Sequence, residues 1–349
     1  MSNSFTVKEL NDDDNLFPVK KEEIPSADVY YLDRAPESDT HYNIRTMSYS
    51  SLLTLHGCPR KYELNRLLPY GVDVENDEDA AGHLDFGTVV GNGIQELLVT
   101  GSMDRAMFRA FLDWKDNLES ERGERAKKTF WHALQAIQKF SEIMDNDLSQ
   151  YEVATFQGRP AVELGFAIDC GKGFTYRGKL DALLIHKVRR EFLPLECKTT
   201  GMSYVDEAMY ANSSQGIGYG VVIDRVAAEM QVEYNSYDIF YPVYMTKKTD
   251  WMPYRFQKSN IARALWLQSL LLEVLHIEEY ATIGYFPTRG ESCFSFGRQC
   301  RHYGLCHISN DKVIGNTSLV PIKLDKKKDY PLFFNVDQLI EAQIEKEVE

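Results

Sequence analysis

The chain has 349 residues, of which 44% are hydrophobic, and a formal net charge of −13. The hydrophobic content is enough for a globular core, and no apolar run approaches the roughly 20 residues of a transmembrane helix, so we expect no membrane partner. The acidic balance does not favour tight non-specific binding to nucleic acid, because phosphates are normally bound by Lys and Arg.

Residues 1–40 are expected to form a flexible acidic tail. They carry ten acidic and four basic residues, a net charge of −6, and few clustered apolar side chains. Because nearly half of the net charge lies in this segment, the rest of the chain is less acidic than the total indicates, and a DNA substrate is compatible with it. The first residues lack the basic and apolar regions of a signal peptide, so a cytoplasmic location is expected.

Amphipathic helices are predicted after the tail. Ser48–Ser51 offers hydroxyls that can cap a helix, and the apolar pattern behind it runs to Leu67. An acidic stretch at 71–82 is predicted to be a loop. Three further helical patterns follow, at 87–98, 103–119 and 125–145.

The hydrophobic period changes from helical to alternating near residue 161. Three strands separated by short turns are predicted at 161–170, 174–185 and 191–198, and we expect them to form an antiparallel meander. The remaining predicted elements are a helical segment at 204–222, a strand at 238–244, a long helix at 259–280, a cysteine-rich segment at 293–306 and a polar tail at 311–349.

Two carboxylates and a lysine lie at the ends of predicted strands. Asp181 closes the tetrapeptide Gly178–Asp181, and Glu196 and Lys198 share one face of the next strand, because side chains alternate along a strand. If the two strands pair, these groups converge, and they can hold a divalent cation and orient an attacking water. This makes metal-dependent cleavage of nucleic acid the leading hypothesis, although the pattern alone is weak.

Further polar residues lie before Asp181 and after Lys198 in the sequence. Glu163 on the preceding strand could supply a third carboxylate, and a solvent-facing strand glutamate is an equally good interpretation. Gln215 and Tyr219 are one helical turn apart on one helix face. Taken alone, that pair is more typical of an exposed glutamine beside a core tyrosine.

The chain has six cysteines, and no disulfides are expected without a signal peptide. Cys170 and Cys197 lie within strand patterns and are interpreted as small buried hydrophobes. Three others lie in a polar, glycine-containing segment where packing alone does not explain thiols, and Cys58 is available as a fourth ligand, ahead of His302. Four thiolates suit an iron–sulfur cluster or zinc. The proposed set, called the cysteine clasp below, is Cys58, Cys293, Cys300 and Cys306.

In combination, the motifs resemble the RecB-like branch of the PD-(D/E)XK nuclease superfamily over roughly 48–306. Their order and the cysteines are also similar to CRISPR adaptation nucleases and helicase-associated nucleases whose four cysteines hold a [4Fe-4S] cluster, and Phe286-Pro287 ahead of the terminal cysteines is similar to bacteriophage-encoded members. The motifs that carry the resemblance are Cys58–Tyr62, Phe86–Thr88, Gly178–Asp181, Glu196–Thr199, Gln215 with Tyr219, and the terminal cysteines.

The resemblance implies an α/β (α+β) fold with a restriction-endonuclease-like core, in which a mixed sheet with an antiparallel meander is flanked by helices. A single nuclease domain would cover 41–310. Its parts would be a helical part at 41–150, a catalytic core at 151–250, and the long helix with the cysteine-rich C-terminal clasp at 251–310.

The resemblance also implies residue roles. Asp181 and Glu196 would bind Mg²⁺ or Mn²⁺ with the carbonyl of Cys197, and Lys198 would be the catalytic lysine. Gln215 and Tyr219 would contact DNA near the site. The cysteine clasp would hold a [4Fe-4S] cluster, with zinc as the alternative.

Two departures from the family pattern are visible. Many relatives carry a histidine ligand in a Gly-x-x-x-His pattern, and here Gly91 stands in its place; Gln95 or Glu163 could substitute, and an upstream glutamate in lambda-like exonucleases favours Glu163. Relatives commonly have two residues between the second and third cysteines, whereas six separate Cys293 from Cys300.

The expected function is therefore a metal-dependent deoxyribonuclease, an exonuclease in phage or bacterial DNA recombination or processing. It would act on DNA in the cytoplasm, which is the host cytoplasm if it is phage-encoded, with a recombination or single-strand-annealing protein as an expected partner. The alternative is a catalytically weak or inactive nuclease fold that binds DNA or serves as a scaffold. A redox or iron-sensing protein leaves Asp181, Glu196 and Lys198 unexplained.

Overall fold

A computed structural model of the chain describes the larger part of the sequence. The described residues are 46–67, 70–71, 78–114, 118, 127–232, 238–295, 298–307, 320–321, 332–335, 337–338 and 340–341. The predicted acidic tail at 1–40 lies outside them. In the part of the chain described, no helix is long and apolar enough to cross a membrane.

Eight α-helices are described. They are α1 (Tyr49–Gly57), α2 (Pro59–Tyr62), α3 (Glu78–Thr100), α4 (Met103–Asp113), α5 (Phe130–Asn146), α6 (Glu207–Ala211), α7 (Ser214–Glu229) and α8 (Asn260–Ile283). The capping hydroxyls expected from the sequence are present: Ser48 accepts from the backbone N–H of Ser51, and Ser259 from that of Ala262.

Fifteen strands are described within the same residues. They are β1 (Thr46–Met47), β2 (Tyr70–Gly71), β3 (Tyr151–Val153), β4 (Thr155–Phe156), β5 (Arg159–Pro160), β6 (Val162–Asp169), β7 (Thr175–His186), β8 (Phe192–Leu195), β9 (Lys198–Thr200), β10 (Asp238–Met245), β11 (Asp250–Gln257), β12 (Phe294–Ser295), β13 (Arg298–Gln299), β14 (Val320–Pro321) and β15 (Leu332–Asn335).

The central sheet is mixed, and its main order is β11-β10-β8-β7-β6-β15. Strands β6, β7 and β8 pair antiparallel, which confirms the predicted meander. Strand β10 runs parallel to β8 and β9 and antiparallel to β11. This mixed sheet with helices packed against it is the fold class that the sequence predicts.

Helices cover both faces of the sheet. One hydrophobic cluster combines α1, α7 and α8 with side chains such as Leu180 and Tyr241. The other combines α3, α4 and α5 with side chains such as Leu184 and Phe240. Burial of apolar surface on both faces is the main stabilising contribution expected for such a layered fold.

The middle of the meander changes faces at one position. Leu164 and Leu180, which pair, belong to the cluster under α7, whereas Val162 and Ala182, which also pair, contact the cluster under α3. A regular strand would place residues two apart on the same face. Glu163 and Asp181 lie between these two pairs, and Glu163 has a left-handed backbone conformation with φ of 50°. The two carboxylates therefore lie where the regular alternation of side chains along β6 and β7 is interrupted.

The structure differs from the predicted elements in three places. The strand predicted at 191–198 is two strands, β8 and β9, because Glu196 and Cys197 interrupt the pairing with β10. The loop predicted at 71–82 ends earlier, since α3 begins at Glu78. Part of the predicted tail at 311–349 forms β15, an apolar run that pairs parallel with β6.

Candidate active site

The strands bring Asp181 and the end of β8 together as expected. The backbone N–H of Cys197 donates to Oδ2 of Asp181 at 2.8 Å, so the carboxylate of β7 lies directly beside the connection between β8 and β9. Cys197 contacts the cluster under α3, while Glu196 and Lys198 contact residues of α7 on the other side. The predicted alternation along Glu196–Lys198 is present.

Glu196, Lys198 and Gln215 form one hydrogen-bonded group. The Lys198 ammonium donates to Oε1 of Glu196 at 2.6 Å and to Oε1 of Gln215 at 2.9 Å. The amide of Gln215 donates back to Oε1 of Glu196 at 2.8 Å. Charge-assisted bonds of this kind hold a lysine in one orientation instead of leaving it free in solvent.

Tyr219 completes the network one turn further along α7. Its hydroxyl lies 2.8 Å from Oε2 of Glu196 and 2.7 Å from the carbonyl oxygen of Lys179, and it accepts from Nε2 of Gln215 at 2.7 Å. Tyr219 is buried, and its ring packs edge-on against Phe166. The helix motif from the sequence therefore supports the Glu196 carboxylate directly.

Glycine at two positions allows the close approach of α7 and of β7 to their neighbours. A Cβ at Gly178 would overlap the ring of Phe166, and one at Gly218 would lie 2.9 Å from the ring of Trp266 on α8. Any larger residue at these positions would push β7 or α7 away from its contacts. This explains why the tetrapeptide that ends in Asp181 begins with glycine.

The electrostatics of the site follow from burial and from like charge. Burial, and after it the nearby charge of Glu196, raises the pKa of Asp181 to about 8 against the opposing effects of the Cys197 N–H and of Lys198. Burial acts to lower the pKa of Lys198, but the charge and hydrogen bond of Glu196 outweigh it, so that pKa lies above its ordinary value. Two crowded carboxylates beside one ammonium are an environment that a divalent cation would stabilise.

Glu163 lies on β6 between Val162 and Leu164, which pair with Ala182 and Leu180 on either side of Asp181. Its carboxylate is exposed and forms an ion pair with Lys179. Its negative charge contributes to the raised pKa of Asp181, so the two groups are neighbours. The described contacts do not by themselves identify Glu163 as a metal ligand. It is, however, the carboxylate that the strands place beside Asp181.

Helix α3 passes the site at the position of the missing histidine. A Cβ at Gly87 would lie 3.3 Å from Oγ1 of Thr199, whereas no heavy atom lies within 4 Å of the Cβ position at Gly91. The helix therefore runs against β9 at Gly87, and open space surrounds the Cβ position of Gly91. No described contact connects Gln95 to the carboxylates.

Two residues near the site were not assigned a role from the sequence. Tyr49, at the start of α1, is close enough that its charge would raise the pKa of Lys198. Lys179 holds Glu163, and its carbonyl faces Tyr219. Lys179 lies in the Gly178–Asp181 motif and Tyr49 in the Ser48–Ser51 capping segment, yet only the fold shows which groups they lie close to.

The cysteine clasp residues also come together. Burial raises the pKa of the Cys306 thiol, and charge on Cys300, Cys58 and Cys293 would raise it further. The N–H of Cys300 donates to the carbonyl of Cys293 at 2.7 Å. Among the described residues, however, no three His, Cys, Asp or Glu side chains are arranged as a complete metal site, at the clasp or at the carboxylates.

Contacts outside the thiols fasten the two ends of the chain near the clasp. Oγ of Ser292 donates to the carbonyl of Gly57 at 2.6 Å, and the Arg60 guanidinium donates to the carbonyl of Leu305 at 3.3 Å. His302, the competing ligand, is buried with Nε2 2.7 Å from the side-chain oxygen of Asn65. Burial and nearby cations lower the pKa of His302 to about 4, so its imidazole is neutral near pH 7.

Comparison with known proteins identifies the family. A model of the PD-(D/E)XK nuclease superfamily matches residues 46–307, about three quarters of the chain and all of the candidate site residues described above. The chain belongs to the PD-(D/E)XK nuclease superfamily. For this nuclease, the superfamily resemblance seen in the sequence is therefore confirmed, and a nuclease function follows at the level of the family.

Other comparisons add little about this nuclease. No curated protein matches its sequence. It is similar to a solved structure from Eubacterium rectale that is provisionally named an exonuclease, with 10% identity, a TM-score of 0.30, and coverage of 64% of this chain and 92% of that chain. A likeness this weak does not bear on the reaction.

Proposed function

We propose that this nuclease is a divalent-metal-dependent deoxyribonuclease that digests DNA from its ends. The observation that carries the proposal is the group of Asp181, Glu196 and Lys198, supported by Gln215 and Tyr219 on α7. The role in phage or bacterial DNA recombination, and a recombination or single-strand-annealing partner, remain predictions from the resemblance.

The carboxylates fit a hard divalent cation. Asp181 and Glu196 offer oxygen donors, and the raised pKa of Asp181 reflects negative charge that a cation would compensate. We propose that these two residues, with the carbonyl of Cys197, hold Mg²⁺ or Mn²⁺. Such a cation supplies a bound water of lowered pKa and neutralises charge on the scissile phosphate.

Lys198 is proposed to position the attacking water. Glu196 and Gln215 hold its ammonium from two sides, which limits its rotamers and keeps it charged. One ammonium proton remains for a water or a phosphate oxygen. Tyr219 and Gln215 then orient Glu196 by donating to its two oxygens.

Glu163 is proposed as the third carboxylate, in place of the histidine that Gly91 replaces. It is an electrostatic neighbour of Asp181 and has a left-handed backbone conformation, and such strain tends to occur at functional sites. Its carboxylate pairs with Lys179. The role requires this ion pair to loosen when a cation binds.

The cysteine clasp is proposed to hold a [4Fe-4S] cluster, with zinc as the alternative. The charges of Cys300, Cys58 and Cys293 would each raise the pKa of the Cys306 thiol, which supports a shared site, and thiolates suit either group. The cluster would join α1 and the segment after α8, and no catalytic step is assigned to it.

A divalent-ion screen on end-labelled linear DNA and on circular DNA tests the proposed function. We expect digestion of linear DNA with Mg²⁺ or Mn²⁺, no digestion with EDTA, and an intact circle. Nicking of the circle would show an endonuclease. Binding of DNA without cleavage under any divalent ion would favour the inactive nuclease fold that serves as a scaffold.

A further inference from the structure

Five aromatic side chains form a continuous row on α4, its C-terminal end and α5. Phe108 stacks on Phe111 with centroids 6.5 Å apart, and Phe111 meets Phe130 edge-on at 6.3 Å. Phe130 in turn contacts Trp114 at 5.7 Å and Trp131 at 5.3 Å. We call these five residues the aromatic ladder.

Much of the ladder is exposed. Phe108 is 62% exposed, Phe111 49% and Trp131 61%, while the small residues Ala106 and Ala110 of α4 face the core. The buried face of α4 is therefore already satisfied without the aromatic side chains. Large exposed aromatic groups in a row are typical of a binding surface.

Lysines lie at one end of the ladder. Lys127 comes just before α5, and its ammonium donates to the carbonyl of Lys247 at 3.3 Å in the turn between β10 and β11. Lys247 and Lys248 are both exposed. The acidic neighbour Asp113 is engaged by Arg109 and by Asn92, each at 2.8 Å, so its charge is partly compensated.

The basic turn follows β10, the strand that pairs with β9 and so with Lys198. The N–H of Thr246 donates to the carbonyl of Thr200 at 2.9 Å, and Thr200 is two residues after Lys198 on β9. With about 3.3 Å per strand residue and about 4.8 Å between strands, the turn is on the order of 15 Å from Lys198. This spacing corresponds to a few nucleotides of an extended strand.

We propose that the aromatic ladder and the turn lysines bind single-stranded DNA, with bases stacked on Phe108, Phe111 and Trp131 and phosphates on Lys247 and Lys248. Aromatic faces beside a basic groove are the arrangement that single-strand binding uses, because every base has a π-face. A purely apolar partner would leave the lysines unmatched. The inference rests on the proposed function in one respect, that the bound strand continues to the catalytic group.

Binding of a fluorescein-labelled oligothymidylate of roughly 16 nucleotides, near the upper end of known site sizes, tests the surface. Fluorescence anisotropy in EDTA measures Kd without cleavage. The double variant Phe108→Ala/Trp131→Ala should raise Kd about tenfold or more. The matched control is Leu265→Ala/Leu272→Ala on α8, whose side chains are 56% and 54% exposed, and it should leave Kd unchanged.

The lysines give a separate measurement. Lys247→Gln/Lys248→Gln should reduce the slope of log K against log salt by about 1.4, since each phosphate contact on a single strand contributes about 0.7. An unchanged slope would contradict the phosphate contacts. Circular dichroism and thermal unfolding verify that each variant is folded.

Three results would overturn the proposal. The protein could fail to bind the oligonucleotide, or the ladder and control variants could lose affinity for it equally. The wild-type protein could also be a dimer that the ladder substitutions dissociate without changing Kd for the oligonucleotide. The last result would make the ladder an interface between two copies. Failure of the proposed function looks different, because binding would still depend on the ladder while Mg²⁺ and Mn²⁺ produced no cleavage.

Discussion

The catalytic group and the cysteine clasp are built in opposite ways. The proposed catalytic residues lie on β7, in the connection between β8 and β9, on β9 and on α7, and they are held by a dense set of hydrogen bonds. The clasp joins Cys58 to a segment beginning at Cys293, and its contacts are made between the two ends of the domain.

The two regions also differ in whether their local interactions stabilise or destabilise the folded protein. Asp181 is held beside Glu196 at an electrostatic cost, which is typical of a site that awaits a cation. Near the clasp, Arg60 and Glu63 form a buried ion pair, and the carbonyl of Leu305 accepts from the same guanidinium. The first region should therefore control the reaction, and the second should control stability.

The largest expected effect is a loss of activity when the proposed catalytic lysine is replaced. Lys198→Met should lower kcat for linear DNA by about 10²–10⁴-fold, the range for losing a positioned proton-transfer group, with little change in Tm. Lys187→Met is the control, because that lysine donates only to the carbonyl of Ser149 at 2.8 Å far along the sheet. Full activity of Lys198→Met would refute the assigned role.

A substitution in the cysteine clasp should lower stability, whereas Lys198→Met should lower activity. Cys300→Ser should remove bound metal and any visible absorption of a thiolate-bound cluster and should lower Tm by roughly 5–10 °C, since ligand binding stabilises only the folded state. Metal analysis and calorimetry measure both quantities. Cys170→Ala is the control, because that thiol is buried within the sheet region.

A metal content and Tm of Cys300→Ser equal to those of the wild type would exclude Cys300 as a ligand. A colourless protein containing zinc would replace the iron–sulfur assignment while leaving the architectural role in place. Either result sharpens the comparison, because neither should alter the hydrogen bonds of Lys198.

Glu163→Gln should weaken metal binding without removing the chemistry. The Mn²⁺ concentration for half-maximal cleavage should rise about 10–100-fold, as for loss of a supporting metal contact, while the rate at saturating Mn²⁺ falls less. The matched control is Glu152→Gln, another exposed strand glutamate that pairs with an arginine, Arg190. Equal Mn²⁺ curves for both variants would make Glu163 a surface residue.

The smallest effect is on the stability of the metal-free protein. Because the pKa of Asp181 is raised in the folded state, its contribution to the free energy of unfolding is full below about pH 4 and is lost as pH rises through about 8. In EDTA at pH 8, Asp181→Asn should therefore raise the free energy of unfolding by about 1–2 kcal/mol.

Urea unfolding at a series of pH values measures this dependence. The control Asp145→Asn changes an exposed aspartate near the end of α5 and should leave the pH profile unaltered. A destabilised Asp181→Asn protein at pH 8 would mean that the bond from the Cys197 N–H outweighs the crowding of the carboxylates.

Much of the sheet could be predicted because its strands have clear periodicity, and the meander of β6, β7 and β8 is an example. Strand β11 was not predicted, and Pro253 in its middle argues against a strand. The structure places β11 at the edge of the sheet, where the missing backbone N–H of a proline is tolerated. The break between β8 and β9 was missed for a related reason, as pairing depends on the neighbouring strand.

The sequence by itself selected the candidate groups of this nuclease: Asp181, Glu196, Lys198 and the helix pair Gln215 and Tyr219. Alternation along a strand and spacing along a helix are properties of the backbone, so they predict which of these side chains share a face. Their proposed roles come from the combination of motifs, because neither pattern is specific alone. Only the tertiary structure decided that Glu163 lies beside Asp181 and pairs with Lys179. Cross-strand register and contacts between distant segments depend on packing across the whole domain, and no local pattern records them.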